Sequence, residues 1–380
     1  MEEKSEIHVK TLFGLETVLE SEMKALGFQE IRKGSRSVSF KGSLKDIYRA
    51  NYLCRSAIRV LKPIIRFEFN SIDEYYENIH AYPWEELLHL QDSFSIDSVV
   101  HRSSFFTNSI FASHKAKDAI VDRFYKKYDL RPSVNKYNPD LFINVHVNDR
   151  KCSISIDSSG EPLFKRGYRM QVAEAPLNEV LASGMLLLTD WEGQHNFVNP
   201  MCGSGTLAIE AAMIAKNIPA GKYRKDFAFM HWRDFNPSLW REVKEEAAKN
   251  RREFDAFIFA SDLSDKAIAA TEENIKAVGL EEDIVVEKAN FLSYEPAAGP
   301  GILVLNPPYG EKIKLEDSIK SYKKIGDVFK QKYTDYTAWI ISSDLEAIKN
   351  IGLRSTQKHI LYNGSLECRF IQYDIFSENN

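Results

Sequence analysis

Asn306-Pro307-Pro308-Tyr309-Gly310 brings together groups that can do chemistry on an amine. Two successive prolines fix φ and remove two amide donors, which leaves the local carbonyls free to accept. The Asn306 carboxamide oxygen and the Pro307 carbonyl can then hold the two hydrogens of an exocyclic nucleobase amine, while planar Tyr309 stacks on the ring that carries it. Such an amine is a poor nucleophile, because its lone pair is delocalised into the ring. Acceptors that grip its hydrogens favour a tetrahedral nitrogen, whose lone pair can attack an electrophilic carbon. A base inside a helix cannot reach such a pocket and must be splayed out or flipped. The alternative is a Pro-Pro turn with a surface tyrosine. The apolar run Gly301–Leu305 just ahead reads as a buried strand, and an acceptor turn at a strand's carboxyl end favours the chemical reading.

A second constellation lies about a hundred residues earlier. Asn199-Pro-Met-Cys-Gly-Ser-Gly-Thr206 follows a short apolar strand and opens a helix. Gly203 and Gly205 allow backbone amides to approach a ligand where a Cβ would clash, and a helix N-terminus favours polar or anionic groups. Asn199, Met201, Gly203, Gly205 and Thr206 are therefore candidates for holding a cofactor. GxG alone is weak evidence; position 208 is Ala, so GxGxxG is absent, and no Walker lysine follows. The next strand ends in Ser261-Asp262, where a carboxylate can accept both hydroxyls of a ribose, although an aspartate there can equally cap the following helix. The strand after that ends at Asn290, whose amide can read an adenine edge with Phe291 beside the ring, or can simply sit in a turn.

The elements that must position these groups fall into two halves. Past Gly160, short apolar strands (196–198, 257–260, 284–287, 302–305, 337–341) are separated by helices (177–188, 206–216, 266–278, 317–332). That alternation predicts a doubly wound parallel sheet, with a terminal hairpin around Asn363-Gly364 adding antiparallel pairing at one edge. An aromatic-rich insertion occupies 217–255, and an extended linker is expected near 161–171. The N-terminal part reads as α+β: helices over 12–26, 44–60 and 113–128, a helix start at 72–79, strands at 38–40, 64–69 and 94–99, and a hairpin joining 141–147 to 151–157.

With 380 residues, 44% hydrophobic and 27% charged, the chain has material for two or three packed domains and is neither disordered nor of low complexity. The net charge of −4 means that any nucleic-acid surface must be local. The best local candidate is 101–136, with eight Lys or Arg against three Asp. Taken alone, such a run is more often a solvated helix face than a binding surface. There is no apolar run of about 18 residues to span a membrane. The acidic, polar opening MEEKSEIHVK is unlike a signal peptide, and four scattered cysteines without CxxC fit reduced thiols, so a cytoplasmic location is expected. Cys202, in the glycine turn, reads as a small packed residue.

Taken together these blocks resemble class I S-adenosylmethionine-dependent RNA methyltransferases with a THUMP domain, closest to the bacterial 23S rRNA guanine-N2 methyltransferase group, the YpsC-like set. The resemblance rests on Lys165-Arg-Gly-Tyr-Arg169 with Ala175-Pro-Leu-Asn-Glu179, the turn Asn199–Thr206, Ile218-Pro-Ala-Gly221 with Arg224, Phe227-Ala-Phe229 and Trp232, then Ser261-Asp262 and Asn306–Glu311. It implies a ferredoxin-like segment at 1–62, a THUMP domain at 63–160, a linker at 161–176 and a Rossmann-like class I methyltransferase domain at 177–380. It also implies S-adenosyl-L-methionine as cofactor and RNA, expected to be 23S rRNA, as partner, with Lys115, Lys117, Arg123, Lys126 and Lys127 turned toward phosphates. Asn306, Pro307 and Tyr309 become the catalytic set; direct in-line attack by the amine calls for neither a metal nor a covalent enzyme intermediate. The chain departs from the family pattern at Asn199 and Asn290, where aspartates are usual, which puts cofactor affinity in question more than the reaction. Rival readings are a tRNA guanosine or DNA amino-methyltransferase, and an RNA-binding protein with a relic cofactor pocket. A nicotinamide dehydrogenase ranks low, since it leaves the Pro-Pro-Tyr element unexplained.

Overall fold

The computed structural model describes residues 4–171, 176–308 and 315–376. The first half runs β1 (Ser5–Lys10), α1 (Glu16–Ala25), β2 (Arg32–Gly34), β3 (Ser37–Gly42), α2 (Leu44–Leu53), β4 (Arg59–Glu68), α3 (Ile72–Ala81), β5 (Ser93–His101), α4 (Ser109–Tyr128), β6 (Ser133–Val134), β7 (Leu141–Asn148) and β8 (Lys151–Asp157). Among the described residues these strands make one eight-stranded sheet, in the order β2-β3-β1-β4-β8-β7-β5-β6. Alternation decides its two faces. Ile143, Val145 and Val147 of β7 and Ile154 and Ile156 of β8 enter the core beneath the helices, while Asn144, His146 and Ser153 point the other way.

Three sequence expectations shift here. β1 was not anticipated, because its two inward residues, Ile7 and Val9, are set in an acidic, polar stretch. The helix expected over 44–60 stops at Leu53, and Cys54 is extended. Glu22 of α1 is the cause: its carboxylate accepts from the Arg55 and Ser56 amides and from the Ser56 hydroxyl, and this pulls the chain out of the helix toward β4. The boundary expected at 62/63 falls inside β4, which pairs with β1 on one side and β8 on the other and joins both segments in a single sheet.

The second half runs α5 (Glu179–Leu188), β9 (Asn196–Pro200), α6 (Thr206–Ala215), α7 (Pro237–Lys249), β10 (Ile258–Asp262), α8 (Asp265–Val278), β11 (Ile284–Lys288), β12 (Gly301–Leu305), α9 (Leu315–Lys332), β13 (Tyr336–Ser342), β14 (Gln357–Asn363) and β15 (Leu366–Asp374). Its sheet has the order β11-β10-β9-β12-β13-β15-β14. The first five strands pair in parallel, and β15 pairs antiparallel with β13 and β14. The doubly wound sheet with its terminal hairpin is as the alternation of elements predicts. Strand order reverses between β9 and β12, which places a crevice at their carboxyl ends.

The insertion at 217–255 belongs, by packing, to the first half. Phe227, Phe229, Trp232 and Trp240 are buried in the N-terminal core, and Tyr48 of α2 stacks on Phe229 at 4.4 Å. The linker is bound down as well: the Arg224 guanidinium donates to the carbonyls of Ser159, Glu161, Pro162 and Lys165. Among the described residues no helix is long and apolar enough to cross a membrane.

Candidate active site

The glycine turn sits at the carboxyl end of β9. Met201, Gly203 and Gly205 all adopt positive φ (61°, 61° and 79°), so alternate residues fold the backbone back on itself ahead of α6. A Cβ on Gly205 would lie 2.8 Å from Thr271 Cγ2, so glycine is required there by close packing on α8. A Cβ on Gly203 would meet nothing within 4 Å, so the space on the Cα side of that residue is open. No side chain caps α6, whose N-cap is Gly205, so the donors of its first turn are available to a ligand.

Asp262, at the end of β10, accepts from the Gly203 amide at 3.0 Å through one oxygen and from the Ser264 amide at 3.0 Å through the other. The cap of α8 is Ser264, so the capping alternative for Asp262 falls away and its carboxylate fixes the glycine turn instead. Each of its oxygens keeps a lone pair for a hydroxyl. Asn199 is buried; its Nδ2 donates to the Val304 carbonyl at 3.0 Å, a stitch from β9 to β12 that an ionised aspartate could not make. Its Oδ1 is buried with no hydrogen-bond partner among the described residues. Asn290 spends its Oδ1 on the Leu292 amide, as a turn residue does. Phe291 corrects the sequence expectation: it is buried against Phe329 and Tyr333 in the core beneath α9 and is not available to flank an adenine. Cys202 is packed as expected, with burial pushing its thiol up to about 12.

Beside this, β12 delivers Asn306 and Pro307 to the same crevice. Asn306 Oδ1 is a buried oxygen with no hydrogen-bond partner among the described residues. Two orphaned carboxamide oxygens, on Asn199 and Asn306, thus stand at the ends of adjacent strands. Buried acceptors are normally satisfied, and among the described residues neither of these has a donor, so each is free to accept from a ligand in the crevice. Pro307 is buried and Pro308 exposed. Tyr309 lies outside the described residues.

The scaffold behind the turn was not read from the sequence. Arg169 donates to Glu179, to Ser204 Oγ, to Thr206 Oγ1 and to the Leu177 carbonyl, which ties the linker to α5 and to the end of the turn where α6 starts. Thr271 donates to the Gly203 carbonyl, and Asn274 bridges the Ser204 carbonyl to residues 170 and 171. The only sequence signal was the Lys165–Arg169 block itself. Arg169→Ala is expected to loosen the turn and weaken S-adenosylhomocysteine binding about tenfold, ~1.4 kcal/mol, in a calorimetric titration; an unchanged affinity would show that Asp262 and α8 hold the turn unaided.

On α4 the five candidate cations divide. Arg123 forms a two-pronged pair with Glu85 and donates to the carbonyls of His80 and Ala81, and Lys127 also contacts Glu85. The Arg123 hydrogen bond holds the Glu85 carboxyl well below the usual carboxylate range, so these pairs persist at neutral pH. Both side chains serve first to dock α4. Lys117 pairs with Asp118, while Lys115 and Lys126 have no ion pair among the described residues.

Residues 166–372 match the family described as the RMKL-like methyltransferase domain. The chain belongs to that family. The preceding residues match a THUMP domain over 69–157 and the RlmL ferredoxin-like domain over 6–61. A Syntrophotalea carbinolica protein named ribosomal RNA large subunit methyltransferase K/L is 37% identical over 375 residues, which is 95% of this chain and 52% of that protein. The chain therefore spans about half the length of such relatives. Among solved structures, SMU.472 complexed with SAH superposes with a TM-score of 0.89 at 27% identity, covering 100% of both chains. A Listeria monocytogenes chain described as a predicted N6-adenine-specific DNA methylase gives 0.86 at 28% identity, covering 98% of this chain and 97% of that one. The RMKL-like family and the class I methyltransferase fold agree with the sequence resemblance and with the β9–β12 crevice.

Proposed function

We propose that this RMKL-like methyltransferase transfers a methyl group from S-adenosyl-L-methionine to the exocyclic N2 of a guanosine in RNA, with 23S rRNA as the substrate, in the cytoplasm. The observation that carries this reading is the orphaned Asn306 oxygen beside Pro307 at the carboxyl end of β12. The relatives' rRNA methyltransferase names, the THUMP match and the SAH-bound neighbour support it.

Residues present fit the cofactor. Gly203 leaves room, Asp262 can accept ribose hydroxyls, the uncapped start of α6 offers donors with Met201 and Thr206 at its edge, and Asn199 Oδ1 lacks a donor. Asn290 would take the adenine edge through its free NH2 group. When bound, the cofactor supplies an electrophilic methyl on a sulfonium. Asn306 Oδ1 and the Pro307 carbonyl accept the two amine hydrogens, hold the nitrogen lone pair in line and stabilise the positive charge that grows on nitrogen during attack. Tyr309 stacks on the flipped base. Exposed Lys126 and half-buried Lys115 and Lys117 of α4 contact phosphates; Arg123 and Lys127 contribute only what their pairing with Glu85 leaves.

A second reading has one observation behind it: the Listeria neighbour's name, together with an acceptor pair that reads an NH2 group and little else, suits adenine in DNA. Incubation with radiolabelled cofactor and separated 23S rRNA, tRNA and duplex DNA distinguishes them. Label in 23S rRNA is expected; label in DNA alone would overturn the proposal.

A further inference from the structure

The face of the eight-stranded sheet opposite the helices forms a groove of about 790 Å³. Its floor is polar by strand alternation: Asn144 and Asn148 from β7 and Ser153 and Ser155 from β8. Its walls carry Lys10, Arg36, Arg59 and Arg102, with Asp97 the one carboxylate lining it. Asp157 neutralises Arg59. Lys10, Arg36 and Arg102 have no ion pair among the described residues, which leaves three charges at the groove for an anion. Three histidines join them: His8 on β1, His101 on β5 and His146 on β7, the last two with ring centroids 5.7 Å apart.

We infer that this groove binds the sugar–phosphate backbone of a single RNA strand, and that binding takes up protons on His8 and His146. The inference rests on the reading of RNA as substrate and places the RNA contact on the sheet's open face, distinct from α4. From β1 across β4, β8 and β7 to β5 the face spans roughly 19 Å at ~4.8 Å per strand, room for several nucleotides where a lone phosphate would leave most of it empty. Serine and asparagine side chains on the floor suit phosphate oxygens and 2′-hydroxyls.

Lys10 and Arg36 press on one another, and Lys10 presses on the neighbouring histidines. Burial and then the Arg36 charge lower the Lys10 pKa, and burial followed by Lys10, His101 and His8 lowers that of His146. His8 is lowered by burial and by Arg66 and Lys10, against the opposing pull of Glu6. The remaining charged groups facing the histidines are Arg36, Arg59 with Asp157, Arg102 and Asp97. Phosphates laid among them reverse the balance: a histidine neutral in the free protein gains a counter-ion, its pKa rises, and a proton enters with the RNA. Affinity therefore increases as pH falls.

Fluorescence anisotropy of the full chain with a labelled 15-nucleotide oligouridylate tests this. The triple variant Lys10→Gln/Arg36→Gln/Arg102→Gln is expected to bind more than tenfold more weakly, with the slope of log affinity against log salt reduced by about 2, from ~0.7 per lost single-strand contact. Wild type is expected to tighten about fivefold or more from pH 8 to pH 6, within the tenfold per pH unit that one linked proton allows, and His8→Gln/His146→Gln to abolish that change. S-adenosylhomocysteine affinity of both variants reports that they are folded. If wild type methylates rRNA while the triple variant binds and methylates it equally well, the groove inference is overturned and the methyl-transfer reading stands. If binding depends on the groove but no RNA is methylated, the groove stands and the substrate reading falls.

Discussion

Asn306→Ala is expected to lower kcat by about 10²–10³-fold, the usual loss when one preorganised transition-state partner is removed, while S-adenosylhomocysteine binds within a few-fold of wild type. The two readouts separate because Asn306 is proposed to hold the reacting amine, and β9, β10 and the start of α6 to hold the cofactor. A third readout has an unusual sign. Asn306 Oδ1 is a buried acceptor with no partner among the described residues, so its removal relieves an unsatisfied polar group and should leave the unfolding midpoint unchanged or raise it. Loss of turnover at undiminished stability is the mark of a group kept for chemistry. If cofactor affinity falls in step with turnover, Asn306 belongs to the cofactor pocket and its assigned role is wrong.

The second large effect is structural. Glu210, on α6, is fully buried; it accepts from the Tyr168 hydroxyl at 3.0 Å and from the Ser183 hydroxyl, and lies 3.5 Å from Arg166 Nε. Arg166 in turn donates to the carbonyls of Leu163 and Arg55, so one buried charge network joins the linker, the N-terminal half and the helix that starts at the glycine turn. Glu210→Ala leaves the Arg166 cation buried without its counter-charge. Such a loss costs about 3–5 kcal/mol, and a urea midpoint read with an unchanged m-value should report it. Glu210→Gln keeps the shape and one acceptor and should cost less. A loss below about 1 kcal/mol for the alanine variant would mean that Arg166 reaches water on mutation, and that the joint between the halves is softer than its burial implies.

The methyltransferase half was legible because its determinants are local. A run of apolar residues such as Gly301–Leu305 ending in Asn-Pro-Pro states both the strand and the turn, and the glycine turn at 203–205 announces itself by residue type. What was illegible depends on contacts remote in sequence. Glu22 ends α2 thirty-three positions away from Arg55, and nothing in the helical periodicity of 44–60 records it. Thr271, Asn274 and Arg169 hold the turn through single polar contacts that leave no pattern. The basic run on α4 shows the converse: charge was visible, but not that Glu85 consumes Arg123 and Lys127, while the unpaired cations of the open sheet face come from β1, the β2–β3 turn and the end of β5 and never form a run. Phe291 was misread because a strand-end aromatic can turn inward or outward, and here the core under α9 claims it.

The most direct test is nucleoside mass spectrometry of 23S rRNA transcript incubated with the protein and S-adenosyl-L-methionine. N2-methylguanosine, absent with Asn306→Ala, is the expected product. A methyl group on a ring nitrogen, a ribose hydroxyl or the adenine amine would contradict the account, because the acceptor pair at the end of β12 would then not be gripping guanine's NH2 group.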